Sequence, residues 1–399
     1  MFGKIFFLIV FVFAAFNGFS QKIEAETATL SGGASKQASG SASGGYYVAQ
    51  KEGNLTFNMN FEKEANYNLY IQVASPHGYK ANNLSIDGST VTFITDDANY
   101  VRLKVLTYVK LSAGEHVLEI TKSWGWVNID YIEFEEVDPA ERFNTNTTLV
   151  TPEPMDETKR LYQFLYDNYN SKIISGVSNV EEANWLKSRT GKSPALVGLD
   201  YLFLDRGYDS WYDQNLPFKQ GKAWAESNGI LNFHWHWRDP SRITEEFYTD
   251  KTNFDITKIF DPSSDDYKAM IKDIDFVSGE LKRFQDLGIP VIWRPLHEAA
   301  GGWFWWGANG PEACKELWHV MFDRMVNVNG LNNLIWVWTH EPNDDEWYPG
   351  DEYVDIVGRD IYREGDHSSQ VLEFNEMVSL YEGKKMVTIS ECGSFPDVD

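Results

Sequence analysis

The apolar positions along this chain change their spacing once, near residue 150. From residue 22 to about 136 they alternate with polar ones over short stretches, as in Tyr67-Asn68-Leu69-Tyr70-Ile71-Gln72-Val73 and Val117-Leu118-Glu119-Ile120. Turn sequences such as Ile86-Asp87-Gly88-Ser89 and Ser112-Ala113-Gly114-Glu115 separate them, with no helical stretch between. Strands of this kind predict an all-β sandwich of ordinary module size, jelly-roll-like in outline. The Gly/Ser-rich run from Gly32 to Gly45 reads as a loop within it, since strand-like sequence lies on both sides.

Residues 137–154 are polar, carry three prolines and read as a linker. After it, continuous apolar runs alternate with longer amphipathic segments. The runs are Lys172–Val177, Ala195–Leu199, Ile230–Trp235, Pro290–Leu296, Leu334–Trp338, Val354–Ile361 and Lys385–Ser390; Tyr267–Leu287 and Pro311–Val326 are the clearest helical stretches. Buried strands alternating with helices predict a parallel sheet, and over residues 155–399 a (β/α)8 barrel. The count is seven strands, so the expectation is a barrel truncated before strand eight in a chain that continues past Asp399. The other possibility is that the extended segment preceding the barrel closes its sheet.

Lys4, the apolar run Ile5 to Phe16 and the small or polar residues to Ser20 read as a secretory signal over residues 1–20, with the mature chain starting near Gln21. The apolar run is shorter than the ~20 residues of a membrane span. The expected location is extracellular. Three acceptor sequons, at Asn54, Asn83 and Asn146, fit that route. Two cysteines, Cys314 and Cys392, leave one bridge open and exclude a disulfide scaffold. The net charge of −24 argues against nucleic acid and anionic membranes as partners. Fifteen tryptophans matter more, because indoles stack on sugar faces while keeping one wet edge.

The candidate chemistry lies at two strand ends. Trp293-Arg294-Pro295-Leu296-His297-Glu298 runs into Gly301-Gly302-Trp303-Phe304-Trp305-Trp306, and Glu391 follows 93 residues after Glu298 in Thr388-Ile389-Ser390-Glu391-Cys392-Gly393. A solitary glutamate is ordinarily a solvated charge or a helix cap. These two both follow apolar strands and both precede glycine turns, which puts both at the C-terminal mouth of a barrel. Paired carboxyls there, one beside indoles that raise its pKa, predict glycoside hydrolysis.

Those motifs resemble glycoside hydrolase family 26, whose acid/base follows strand four in a His-Glu pair and whose nucleophile follows strand seven. The resemblance implies a retaining β-1,4-mannanase with Glu298 as acid/base and Glu391 as nucleophile. It also implies sugar or nucleophile contacts for His236, His297, Trp303, Asp360 and Tyr362, and an orienting role for Arg294. Trp305 and Trp306 stay open between cleft and core. His234 and His236 share a strand face, but no third ligand stands out for zinc, so no catalytic cofactor is expected.

Residues 22–136 resemble carbohydrate-binding module family 35, on Ile23-Glu24-Ala25-Glu26-Thr27-Ala28 and Trp124-Gly125-Trp126-Val127-Asn128-Ile129-Asp130-Tyr131-Ile132; families 6 and 36 share this outline. The resemblance implies a structural calcium on Glu24, Glu26 and Asp130, hard oxygen donors drawn from one strand and its neighbour. Trp126, Asn128 and Tyr47 are implied sugar contacts. The expected partners are β-mannan-type plant polysaccharides, and the expected form of the protein is a monomer. Two other readings stay open: a family 26 glycanase for β-1,3-xylan or mixed-linkage glucan, and a non-catalytic sugar-binding protein.

Overall fold

A computed structural model describes residues 20–87, 89–138, 143–208, 210–342 and 344–396. The expected signal segment up to residue 19, the turn residue Gly88 and linker residues 139–142 lie outside them. Contacts divide the chain into two units, residues 1–143 with 370–382, and residues 144–369 with 383–399.

The first unit is a sandwich of two antiparallel sheets. One holds β1 (Ser20–Glu24), β3 (Ser35–Ala38), β4 (Tyr46–Gln50), β6 (Ala65–Ala74), β9 (Val101–Leu111) and β11 (Val127–Val137). The other holds β2 (Thr29–Leu30), β5 (Asn54–Phe61), β7 (Lys80–Ile86), β8 (Ser89–Thr95) and β10 (Gly114–Trp124). Alternation does the work the sequence implied: Leu69, Ile71 and Val73 of β6 face inward with Ile132 and Phe134 of β11, all fully buried. The Gly/Ser-rich run is not wholly loop, since Ser35–Ala38 pairs with Tyr46–Ala49. Backbone pairing is indifferent to the small side chains that made this run look irregular.

Strand β11 sets up a site. On one edge it pairs with β4 as far as Ile129 and then with β1 from Tyr131 onward. Asp130 falls at the changeover, where the pairing with β6 also shifts register. A bulge there aims one side chain out of the regular alternation.

The second unit is a parallel sheet of seven strands in sequential order: β12 (Gly176–Val177), β13 (Leu196–Asp200), β14 (Ile230–His234), β15 (Val291–Arg294), β16 (Leu334–His340), β17 (Ile356–Ile361) and β18 (Met386–Cys392). Each answers one of the seven predicted runs. Helix α1 (Asp156–Asn168) leads in; α2 (Val180–Thr190), α3 (Leu216–Glu226), α4 (Asp265–Gln285) and α5 (Pro311–Phe322) connect successive strands. Among its described residues the connection from β16 to β17 carries single turns at Asp345–Trp347 and Asp351–Tyr353 and no longer helix. Helix α6 (Val371–Leu380) groups by its contacts with the first unit, where Thr107 donates to the Asn375 carbonyl at 2.8 Å.

Strands β15 and β16 are buried throughout, as a sheet covered on both faces requires. The segment before α1 does not add a strand to the sheet. It caps the strands' N-terminal ends instead: Asn146 N–H donates to the Lys384 carbonyl at 2.9 Å, and Val150 N–H to Asp355 at 2.7 Å. Cys314 and Cys392 are both free. Among the described residues no helix is long and apolar enough to cross a membrane.

Candidate active site

The site begins with Arg294, the last residue of β15 and a buried cation. Its Nη1 donates to Thr339 Oγ1 at 3.0 Å and to Asp360 Oδ2 at 3.0 Å, while Nη2 donates to Glu391 Oε1. A planar fork suits this work, holding two carboxylates from different strands in one plane. Asp360 on β17 is further fixed by Ser390 Oγ at 2.6 Å. The Tyr362 hydroxyl donates to the other oxygen of Glu391, Oε2, at 2.5 Å. Burial, then the charges of Asp360 and Glu298, push the Tyr362 phenol up, so its proton stays available for that bond. Glu391 is thus held through both oxygens by two donors.

Glu298 stands two residues beyond Leu296, and both residues adopt left-handed backbone, at φ 53° and 49°. Such conformations cost about 1–3 kcal/mol each in a residue with a Cβ and occur where a side chain must be aimed. Here they turn the chain out of β15 and present the Glu298 carboxyl. Trp303 Nε1 donates to Glu298 Oε2 at 3.0 Å. Burial first, and the neighbouring Asp360 second, raise the pKa of Glu298 above its ordinary value. Glu298 and Asp360 bring carboxyl oxygens within 4.8 Å of one another, and Glu341 joins them at the same spacing. One carboxylate anchored through both oxygens and one proton-retaining carboxyl at the same end of the sheet make an acid/base and nucleophile arrangement.

The histidines form a second layer. Asp200, at the end of β13, accepts from the His236 backbone N–H at 3.0 Å and meets His236 Nδ1 at 2.7 Å and His234 Nε2 at 3.4 Å. Burial would raise Asp200, but the charges and hydrogen bonds of His234 and His236 outweigh it and hold the carboxyl well below its usual range. His236 Nε2 lies 3.3 Å from Nε2 of His297. His297 is itself buried, and burial with the nearby Arg294 cation holds it neutral. A third donor beside His234 and His236 therefore does exist: Asp200 brings an oxygen within 4.8 Å of a nitrogen of each.

Sequence reasoning left Trp305 and Trp306 undecided, and both are core. Each is fully buried, with Trp305 donating to the Trp237 carbonyl at 2.5 Å and Trp306 to the His297 carbonyl at 2.9 Å. Trp303, by contrast, is 43% exposed. Its ring is laid over Gly301, where an added Cβ would come within 2.1 Å of the indole. Asp200 and Glu341 escaped the sequence reading, although each ends an apolar strand run as Glu298 does. The signal was there; what drew attention elsewhere was the glycine turn that both lack.

In the sandwich, Glu24 ends β1, Glu26 sits in the turn Ala25–Thr27, and Asp130 occupies the β11 bulge. Glu26 is therefore on a turn, not beside Glu24 on one strand face. Ser43 ties the group together: its N–H donates to Asp130 Oδ2 at 3.1 Å and its hydroxyl to Glu24 Oε1 at 2.8 Å. Glu24 Oε2, Glu26 Oε2 and Asp130 Oδ1 are all buried and all lack a hydrogen-bond partner. Burial, and then the charges of Glu24 and Glu26, raise Asp130. Three orphaned carboxylate oxygens fit a hard divalent cation. Trp126 Nε1 donates to Asn128 Oδ1 at 3.3 Å, with Lys51 Nζ 4.3 Å from the ring centre of Trp126. Tyr47 packs edge-on to Tyr100.

The chain matches two known families and several known proteins. Residues 150–399 match glycosyl hydrolase family 26, and residues 21–137 match carbohydrate binding module family 35. A mannan endo-1,4-β-mannosidase of Thermothelomyces thermophilus is 34% identical over 386 residues, covering 94% of this chain and 80% of that protein. The solved structure of a Podospora anserina GH26-CBM35 β-(1,4)-mannanase shares 33% identity at a TM-score of 0.62, covering 94% of this chain and 87% of the other. A β-mannanase from a symbiotic protist of the termite Reticulitermes speratus, solved with a gluco-manno-oligosaccharide, shares 40% identity at a TM-score of 0.61 over 64% of this chain and 85% of its own.

Proposed function

We propose a secreted mannan hydrolase, from a settled premise: the chain belongs to glycosyl hydrolase family 26. It is a glycoside hydrolase with an N-terminal carbohydrate-binding module, and its reaction is endo-hydrolysis of β-1,4-mannans. The observation that carries the mechanism is the junction at Arg294. That residue and Asp360 couple the anchored Glu391 to the proton-retaining Glu298 in one cleft.

Glu391 Oε attacks the anomeric carbon while Glu298 delivers its proton to the departing glycosidic oxygen. The glycosyl-enzyme ester is then cleaved by a water from which Glu298 takes a proton, and the anomeric configuration is retained. Arg294 and Tyr362 hold Glu391 through its two oxygens, so the nucleophile is oriented before substrate arrives. Burial keeps Glu298 protonated to higher pH, and Trp303 fixes its carboxyl while offering an exposed ring for a sugar face. His236 stands at the cleft with its tautomer set by Asp200.

Reducing-sugar release from linear mannan, galactomannan, β-1,3-xylan and lichenan tests this reading, with Glu391→Ala alongside. Release from the mannans, abolished in the variant, is the expected result. Release only from xylan or lichenan would keep the mechanism and replace the substrate.

Calcium on Glu24, Glu26 and Asp130 is part of the same proposal, supported by the three orphaned oxygens. Bound there, the cation would neutralise the cluster and pin the end of β1, the turn after it and β11 together; it takes no part in hydrolysis. Export is supported by Lys4 and the apolar run that follows; N-terminal sequencing of the exported protein should begin near Gln21. A monomer is the proposed working form, which sedimentation measures.

A further inference from the structure

The active site holds a carboxyl that the two-glutamate mechanism does not use. Glu341 directly follows β16, a strand buried along its whole length, so it emerges at the same end of the sheet as Glu298 and Glu391. Its backbone N–H donates to Asp344 Oδ2 at 2.8 Å, which fixes the start of the loop. Its carboxyl lies within 4.8 Å of both Glu298 and Asp360. We propose that Glu341 is a positioning residue that keeps the acid/base charged with its proton, by sharing one proton with Glu298 across this cluster. The inference rests on the acid/base reading of Glu298.

The electrostatics agree with the geometry. Glu341 is pushed up to about 7, by burial first and then by Asp360, Glu298 and Asp344, with Arg359 opposing. The groups facing it are therefore Glu298 after β15, Asp360 and Arg359 on β17, and Asp344 on its own loop. Only Arg359 is cationic; the Arg294 charge is shared between Asp360 and Glu391. Two carboxyls this close lose their protons in two separated steps that belong to the pair. Between those steps one proton remains, and Glu298 holds it part of the time. A glutamine at 341 takes no charge and repels nothing, so Glu298 would lose its proton in a single, earlier step. The shift requires that Glu298 still hold its proton when Glu341 ionises; a Glu298 that ionised first, beside a neutral Glu341, would titrate alike in both proteins.

The test is the pH dependence of kcat/KM on a mannan oligosaccharide for wild type, Glu341→Gln and Glu341→Asp. The basic limb of Glu341→Gln should move to lower pH by at least half a unit, roughly threefold in proton affinity. The acidic limb should stay, and Glu341→Asp should restore much of the shift. A basic limb that does not move in Glu341→Gln overturns the proposal while leaving the mannanase reading intact. Inactivity of the wild type on every β-mannan would instead sink that reading. Carbon-13 NMR titration of the glutamate carboxyls then still decides the point, since Glu298 must titrate lower in Glu341→Gln than in wild type. Equal titration in the two proteins would refute the sharing.

Discussion

Replacing Arg294 by lysine keeps the charge and removes the fork. Arg294 spans Thr339, Asp360 and Glu391 from two nitrogens, and its side chain is 2% exposed. A single ammonium at the end of a flexible stem cannot satisfy both carboxylates in that plane. At least one hydrogen bond to a charged group is lost, worth about 1.5–3 kcal/mol. Glu391 is the partner with the fewer alternatives, because Asp360 keeps Ser390 while Glu391 keeps only Tyr362 among its described donors. If the lost bond is the one aiming the nucleophile, kcat falls roughly 10- to 150-fold. Arg294 is buried away from the substrate, so KM should change little. The assay is steady-state kinetics on mannan oligosaccharides, with circular dichroism to confirm the fold. A kcat within twofold of wild type in a folded Arg294→Lys protein would refute the claim that the fork orients Glu391.

Other substitutions probe separate links. Tyr362→Phe removes one of the two donors that hold Glu391 and should lower kcat about tenfold or more, read in the same assay. Gly301→Ala drives a methyl into the Trp303 ring, so it should weaken substrate binding and shift the acid's pH limb together; unchanged KM and pH profile would mean that Trp303 has another resting place. Chelation by EDTA should lower the melting temperature of the wild type and leave Asp130→Asn, already lowered, unaffected, as differential scanning calorimetry measures. Equal EDTA sensitivity in both would place the cation elsewhere.

The strand count and the catalytic pair were legible because burial on both faces leaves continuous apolar runs, and because acids at the ends of such runs have few structural reasons to be there. Glu298 and Glu391 came with glycine turns and could be picked out. Asp200 and Glu341 end equally apolar runs but lack the turn, and only folding shows that they converge with His236 and Glu298. Trp303, Trp305 and Trp306 look alike in sequence; backbone direction alone sends one to the cleft and two to the core. The single turns that replace a longer helix among the described residues between β16 and β17 were not foreseen, since the polar stretch Pro342–Tyr353 has a length at which turns and a short helix read alike. Glu26 was read onto a strand because the alternation Glu24-Ala25-Glu26 has a strand's period, whereas a single turn there exposes the same two side chains to Asp130.

The central claim is that Glu391 forms the covalent bond. Incubation with an activated 2-deoxy-2-fluoro-mannoside, which slows deglycosylation, followed by proteolysis and mass spectrometry, tests it directly. The account predicts one label per chain, on the peptide carrying Glu391, and none in Glu391→Ala. A label on Glu298 or Glu341, or hydrolysis with inversion and no label at all, would contradict it.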